Sequence, residues 1–343
     1  MRCQRNTAFL FWRIMSKRAT KQPKIYLAGH NGLVGSAILR ELVARGYQNI
    51  VGRAHSELDL TDAVVTTEFF QTEKPDVVIL AAAVVGGINA NNLNPTKFIV
   101  DNMAIQANVI TAAFECDVER LLFLGSSCIY PRECLQPIKE EYFLSGPLEM
   151  TNRSYAVAKI AGIETCWAFN RQHGTRYIAL MPTNLYGPND NYDLSAAHVL
   201  PALVKRFSDA TQDCVSKVTL WGTGRPLREF LHSDDLAKAC CLLLSLTDQD
   251  LEQVTNNNRP PLLNIGSGQE ISIARLANLI AEKVSYSGDI EWNTEMPDGT
   301  PRKLLDSSLM QSLGWRPGIS LDHGLELVCR EYQQSLDGVN NER

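Results

Sequence analysis

Along residues 24–181, short apolar runs alternate with longer stretches in which apolar positions recur every three or four residues. The short runs Lys24–Ala28, Asn49–Val51, Asp76–Leu80, Arg120–Leu124 and Arg176–Met181 read as strands. Asp76–Leu80 and Arg120–Leu124 are continuously apolar, as strands are when both sheet faces are covered. The longer stretches predict helices over Leu33–Arg45, stopped by Gly46, and over Thr61–Lys74, with Val64, Val65 and Phe69 at helical spacing and Pro75 beyond the end. Two further helices are predicted over Pro95–Asp117 and over Asn152–His173, the latter stopped by Gly174. Such alternation predicts an α/β fold with a parallel, doubly wound sheet. Beyond Pro182 the pattern loosens into loops rich in Pro, Asn and Gly, as expected of a smaller α/β lobe assembled from inserted segments. The expected division is one domain over 24–183 with a returning segment at about 229–267, and a second lobe over 184–228 and 268–337.

The 343 residues are 45% apolar and 21% charged, ordinary for a globular protein. Val77–Ile88 is the longest candidate span and falls short of the roughly 20 residues a bilayer requires, so no membrane partner is expected. A formal charge of −5 gives no basic footprint for nucleic acid. Seven of the 33 Lys and Arg fall within residues 1–24, which hold no Asp or Glu. Ala8–Trp12 is too short for a secretory core and Ser is scarce for a transit peptide, while Met15 offers an alternative start. Residues 1–23 are therefore expected to be an unstructured basic extension outside the fold. Nine cysteines show no C-x-x-C pair and no zinc spacing, so no metal is expected and a reducing, cytoplasmic compartment is.

Gly29-His30-Asn31-Gly32-Leu33-Val34-Gly35 links the first strand to the first helix. Gly29 and Gly32 let backbone amides approach a pyrophosphate, the helix N-terminus favours the anion, and Gly35 allows tight packing on the strand. This context makes the parallel sheet Rossmann-like and its domain dinucleotide-binding. The second strand ends in Gly52-Arg53-Ala54-His55, with no acid before Glu57. An acid there would bind a free ribose 2′-hydroxyl; Arg53, assisted by His55, pairs instead with a 2′-phosphate, which points to NADP(H). Asp59-Leu60 offers a carboxylate toward the adenine edge.

Tyr155 and Lys159, four apart on a predicted helix, share one face. A phenol with an ordinary pKa near ~10 shuttles protons poorly at neutral pH, and a lysine ammonium beside it is expected to lower it. Ser126, 29 residues before Tyr155 and at the carboxyl end of a strand, is placed to hydrogen-bond a substrate carbonyl. The glycine turn, Ser126 and the Tyr155–Lys159 pair together resemble the extended short-chain dehydrogenase/reductase superfamily. The resemblance extends over nearly everything from Lys24 onward, including Ala81-Ala82-Ala83, Arg228–Asp235 and Asn264–Gly268.

Within that superfamily, Gly125-Ser126-Ser127-Cys128-Ile129-Tyr130-Pro131 is the discriminating stretch. A cysteine at 128, with Ala83–Ile88, Pro182–Pro188, Ser195–Val199 and Pro297–Asp306, is similar to the GDP-L-fucose synthase family. The resemblance implies epimerisation at C3 and C5 of a GDP-bound 4-keto sugar, then reduction at C4 by NADPH, in a homodimer. It further implies Cys128 as base, His198 as acid, and Ser126 with Tyr155 as holders of the enolate oxygen. Thiols and imidazoles, ordinarily near ~8.5 and ~6.5, bracket neutrality as that proton exchange requires. By the same resemblance Arg206, Trp221, Arg228 and Asp298 contact the GDP-sugar. Leu124, Gly125, Ser127, Lys159, Pro182, Thr183, Asn184, Leu185 and His198 would line the cofactor. Asn31 and His55 depart from arginines found in some members, which weakens the expected NADP preference. Two competing readings are a nucleotide-sugar 4-epimerase with tightly held NAD and a non-catalytic NADP sensor. The intact Ser126, Tyr155 and Lys159 argue against a sensor.

Overall fold

The structure, a computed structural model, describes residues 22–341 apart from residues 257 and 297, and the side chains of 337–341 are not described. The extension expected over 1–23 thus lies, up to residue 21, outside the described residues, as does Pro297. The chain runs β1 (Ile25–Ala28), α1 (Leu33–Ala44), β2 (Ile50–Val51), α2 (Ala63–Glu73), β3 (Val77–Leu80), α3 (Ile88–Leu93), α4 (Pro95–Glu115), β4 (Arg120–Leu124) and α5 (Arg153–His173). It continues with β5 (Arg176–Pro182), β6 (Asn184–Tyr186), α6 (Val199–Gln212), β7 (Lys217–Trp221), β8 (Leu227–His232), α7 (Ser233–Ser245), α8 (Asp248–Thr255) and β9 (Leu262–Ile265). The last elements are β10 (Glu270–Ser272), α9 (Ile273–Lys283), β11 (Asp289–Asn293), β12 (Arg302–Lys303), α10 (Ser308–Ser312) and α11 (Leu321–Asn341).

Six parallel strands form the main sheet in the order β2-β1-β3-β4-β5-β9. The order reverses between β1 and β3, and such a switch point opens a crevice at the carboxyl ends of the strands. Alternate side chains of β1 explain why its apolar run is unbroken. Ile25 and Leu27 join Ile38, Leu42, Leu236 and Cys240 on one face, while Tyr26 and Ala28 join Phe70, Val109, Ile110 and Ile163 on the other. A third core, with Leu203, Phe207, Leu220, Phe230, Leu276, Ile280 and Leu325, packs α6, α9 and α11 around β7 and β8. There β8 pairs with β6, β10 and β12, and β7 pairs with β11.

One predicted element differs in detail, and one element is unforeseen. Helix α2 begins at Ala63 because the Asp62 carboxylate accepts from the amides of Val64 and Val65, and it ends at Lys74 in a left-handed conformation. Its buried face is Thr66 and Phe70, whereas Val64 is 65% exposed, one step from the periodicity expected. Helix α3 was not predicted; six residues rich in Asn are too short to display a period. Among the described residues no helix is long and apolar enough to cross a membrane.

Candidate active site

The turn after β1 has the form a dinucleotide phosphate requires. Gly29 is left-handed, at φ +84, and a Cβ there would come within 2.7 Å of the Ala82 amide. A Cβ on Gly35 would collide with the Gly29 carbonyl, so turn and helix touch backbone to backbone. Gly32 is different: a Cβ there would meet only the Gly29 carbonyl, at 3.7 Å, because its free side faces outward. Gly32 caps α1 and no side chain accepts from the first-turn amides, leaving them for an anion. Asn31 is exposed, Leu33 and Val34 are half-buried, and the His30 ring packs against Gly52 with Nδ1 buried and unpartnered. The residues present therefore fit a dinucleotide.

The ribose end holds a surprise. Arg53 donates to Glu73 at 2.7 Å and to the Gly52 carbonyl at 2.9 Å, with its guanidinium 5.7 Å from the Phe69 ring centre. Glu73 also receives Lys24 at 2.5 Å. Arg53 is thus already paired, although partly exposed. His55 is exposed, 3.9 Å from Asp59. The Asp59 carboxylate accepts from the amide and hydroxyl of Thr61, which hold it below its usual range, and the Leu60 side chain is core. The Asp59 carboxylate is exposed and its second oxygen accepts no hydrogen bond among the described residues.

At the end of β4, Ser126 caps a short 3-10 turn and its hydroxyl accepts from the Cys128 amide at 3.2 Å. Gly125 and Ser127 are buried beside it, the former against Met181. On α5, Lys159 is 3% exposed, donates to the Leu124 carbonyl at 2.8 Å, and lies 4.8 Å from the Phe123 ring centre and 5.7 Å from that of Tyr155. The expected lowering of the tyrosine by its lysine is not what this geometry gives. Burial pushes the Tyr155 phenol well up, the nearby Cys128 adds to the rise, and Ser126 opposes it. Burial also pulls the Lys159 ammonium down to about 7, so the lysine itself charges weakly at neutral pH.

The segment just before His198 packs against the glycine loop after β3, a contact that sequence spacing does not show. Gly87 donates to the Ala196 carbonyl at 2.8 Å, and Cβ atoms on Gly86 or Gly87 would meet the Ala196 or Ala197 carbonyl. Gly86 also abuts Phe98, whose ring meets Tyr155 edge-on at 6.2 Å. His198, the N-cap of α6, keeps solvent-accessible surface yet is surrounded by protein at longer range, as in an open cleft. That desolvation pulls its imidazole below the ordinary value, toward the neutral form.

The sugar-side candidates behave unequally. Trp221 is 55% exposed at the end of β7, a free aromatic face. Arg206 is half-buried on α6 and makes no hydrogen bond or ion pair among the described residues. Arg228 is desolvated, near Cys128, Asp298 and Glu149. Asp298 is engaged otherwise than expected: its carboxylate accepts from the amide of Thr223 at 2.6 Å and from the hydroxyl at 2.7 Å, tying its loop to the turn after Trp221. Asn184 and Thr183 donate to the Glu229 carbonyl, while Pro182 lies in β5 and Leu185 packs on the core.

Sequence reasoning missed several residues. Asn102 grips Val84 with both ends of its amide, fixing the glycine loop. Glu229, fully buried and pushed up by desolvation, accepts from the amides of Gly268 and Leu305. Asn152 and Lys303 both donate to the Cys128 sulfur. Lys303 and Glu229 carried a signal, their places within the Pro297–Asp306 and Arg228–Asp235 runs.

A glycine-cradled dinucleotide site facing a serine, a tyrosine, a lysine and a thiol defines a nucleotide-dependent oxidoreductase or epimerase. The chain belongs to the NAD dependent epimerase/dehydratase family, whose sequence profile matches residues 25–265, and within it to the family of the GDP-L-fucose synthases. It is 54% identical to GDP-L-fucose synthase 1 of Arabidopsis thaliana over 94% of this chain and 97% of that one. GDP-L-fucose synthase of Escherichia coli K12 is 47% identical over 92% and 98%. Among solved structures, a GDP-mannoheptose C4 reductase from Campylobacter jejuni with NADP bound superposes with a TM-score of 0.81 at 35% identity, over 92% and 100%.

Proposed function

We infer that this protein converts GDP-4-dehydro-6-deoxy-D-mannose to GDP-L-fucose with NADPH, by epimerisation at C3 and C5 and then reduction at C4. The observation that carries this reading is the Cys128 thiol lying in one cluster with Ser126 and Tyr155. A simple reductase has no use for a thiol there. Residues 24–183 with about 229–267 bind the cofactor, and 184–228 with 268–337 hold the sugar nucleotide.

The first-turn amides of α1 and Gly32 would hold the pyrophosphate, and Arg53, partly exposed beside Glu73, would hold the 2′-phosphate. When bound, the nicotinamide supplies hydride to C4. The 4-keto group acidifies the protons at C3 and C5. Cys128 removes a proton and His198 returns one, roles that follow the family resemblance, while Ser126 and Tyr155 hold the oxygen that gains charge. Tyr155 gives its proton to O4 as hydride arrives, a role that follows the family resemblance. Trp221 stacks on the guanine, and Arg206 and Arg228 neutralise the diphosphate.

Two finer features complete the proposal. Val100 and Met103, exposed on α4, supply an apolar face for a homodimer. The eight described cysteines are free, in keeping with a reducing cytoplasm. The test is to supply the keto sugar with NADPH deuterated at the transferred position. One deuterium at C4 of GDP-L-fucose per NADPH oxidised is expected; no NADPH oxidation overturns the reading. Another GDP-sugar epimerase/reductase of this family would reveal itself by turning over a different keto sugar in preference.

A further inference from the structure

The Cys128 sulfur has two side-chain donors. Lys303 Nζ lies 3.6 Å away and Asn152 Nδ2 3.1 Å away. Both donors are placed at the expense of an ordinary role. Asn152 stands at the N-cap of α5, where its side chain normally accepts from the helix amides, yet it makes no cap bond. Its amide turns to the sulfur instead. Lys303 is half-buried and has no carboxylate partner among the described residues.

The backbone aims Lys303 deliberately. Strand β12 pairs with β8 in parallel, with Arg302 opposite Leu227 and Lys303 opposite Arg228. Side chains alternate along a strand, so the two neighbours point to opposite faces. Arg302 goes outward to Glu270 at 2.7 Å, and Lys303 goes inward to the sulfur. The next two residues are locked: Leu304 donates to Gln136 and accepts from Ile138, and Leu305 donates to Glu229. The charged and titratable groups facing Cys128 are therefore Lys303 on β12, Arg228 on β8 and Tyr155 on α5.

Resting on the epimerase reading above, we propose that Lys303 is a positioning residue for epimerisation: its ammonium, with the Asn152 amide, holds the Cys128 sulfur in place and aims it into the cleft. A base that takes a proton from carbon must be held at a fixed point facing the C–H bond, and two donors from different segments fix where the sulfur stands. In the step itself the sugar C–H bond breaks, an S–H bond forms, and the electron pair moves to the 4-keto oxygen. Return of a proton to carbon reverses the same accounting of atoms and charge. Lys303 needs no contact with the sugar carbon.

Two half-reactions separate this role from the rest of the site. Deuterium exchange from solvent at C3 and C5 of the keto sugar, with NADP+ present, needs the thiol. Initial-rate oxidation of GDP-L-fucose by NADP+ uses the same cofactor and Tyr155 but no thiol. Lys303→Met is expected to slow exchange by about 10²-fold, in kcat more than in KM, while the oxidation falls by less than about threefold. Lys303→Arg, which keeps the charge, is expected to recover most of the exchange. Equal losses in both half-reactions, or an arginine variant no better than the methionine one, would reduce Lys303 to a structural residue and overturn the proposal. Exchange unchanged in Lys303→Met overturns it too. If the wild-type protein performs neither half-reaction, the fault lies with the functional reading instead.

Discussion

Seven consecutive residues, Gly29 to Gly35, make the cofactor turn, whereas the surroundings of Cys128 come from residues 126, 152, 155, 228 and 303. The first region is held by backbone against backbone, with Gly29 seated on Ala82 and Gly35 on Gly29. The second is held by buried polar side chains that reach far along the chain. Asn102 fixes the loop at Val84, Asp298 fixes its own loop to Thr223, and Glu229 gathers Gly268 and Leu305. A phosphate-binding turn needs one shape, which one segment can supply. Two-sided proton transfer on a sugar ring needs groups converging from several directions, which no single segment can.

The comparison can be broken at either end. The largest expected effect is chemical: Tyr155→Phe should slow reduction by about 10³-fold while leaving NADPH affinity within about twofold, read by stopped-flow oxidation and fluorescence titration. Next comes the polar clamp. Glu229→Ala leaves the buried amides of Gly268 and Leu305 without an acceptor, a loss of about 2–5 kcal/mol in denaturant unfolding, with sugar affinity impaired more than cofactor affinity. Gly35→Val tests the other region. It forces the Gly29 turn outward, lowering stability by about 1–3 kcal/mol and weakening NADPH, with no effect on sugar contacts beyond that.

Smaller effects concern charge. Burial holds Lys159 near about 7 in the folded chain, below its unfolded value, so above that pH the unfolded chain binds the extra proton. The stability from this group is therefore absent below about pH 7 and grows as pH rises toward the unfolded value. Wild type should gain on the order of 2 kcal/mol on Lys159→Met between pH 7 and pH 9, seen as diverging urea midpoints. The smallest change is at the ribose end. Glu73→Gln frees Arg53 from a partly exposed ion pair, so NADP should bind up to about fivefold tighter relative to NAD by titration calorimetry.

Much of the cofactor region was legible because its signals are local. Lys24–Leu80 displays strand, glycine turn and helix in order, and β1 shows an unbroken apolar run because both of its faces are covered. What shifted a boundary there was local, the Asp62 cap at the start of α2, whereas the Glu73 pairing of Arg53 depends on two segments meeting and is invisible to spacing. In the sugar region Ser126, Cys128 and Tyr155 were found through motifs, but the reasons they converge were not. Gly86 touching both Phe98 and the Ala196 carbonyl is a fact of packing, invisible to spacing. The expected acidity of Tyr155 failed for a related reason: four residues along a helix bring Lys159 to the same face, but its ammonium turns to Leu124 in an apolar pocket.

The central claim is that one thiol-bearing site inverts two sugar carbons before it reduces the ketone. Turnover of GDP-4-dehydro-6-deoxy-D-mannose with NADPH in deuterated water, read by NMR of the product, tests it most directly. The account predicts GDP-L-fucose carrying solvent deuterium at both C3 and C5, and loss of that label in Cys128→Ser. A reduced product with the starting configuration and no deuterium at either carbon would contradict it.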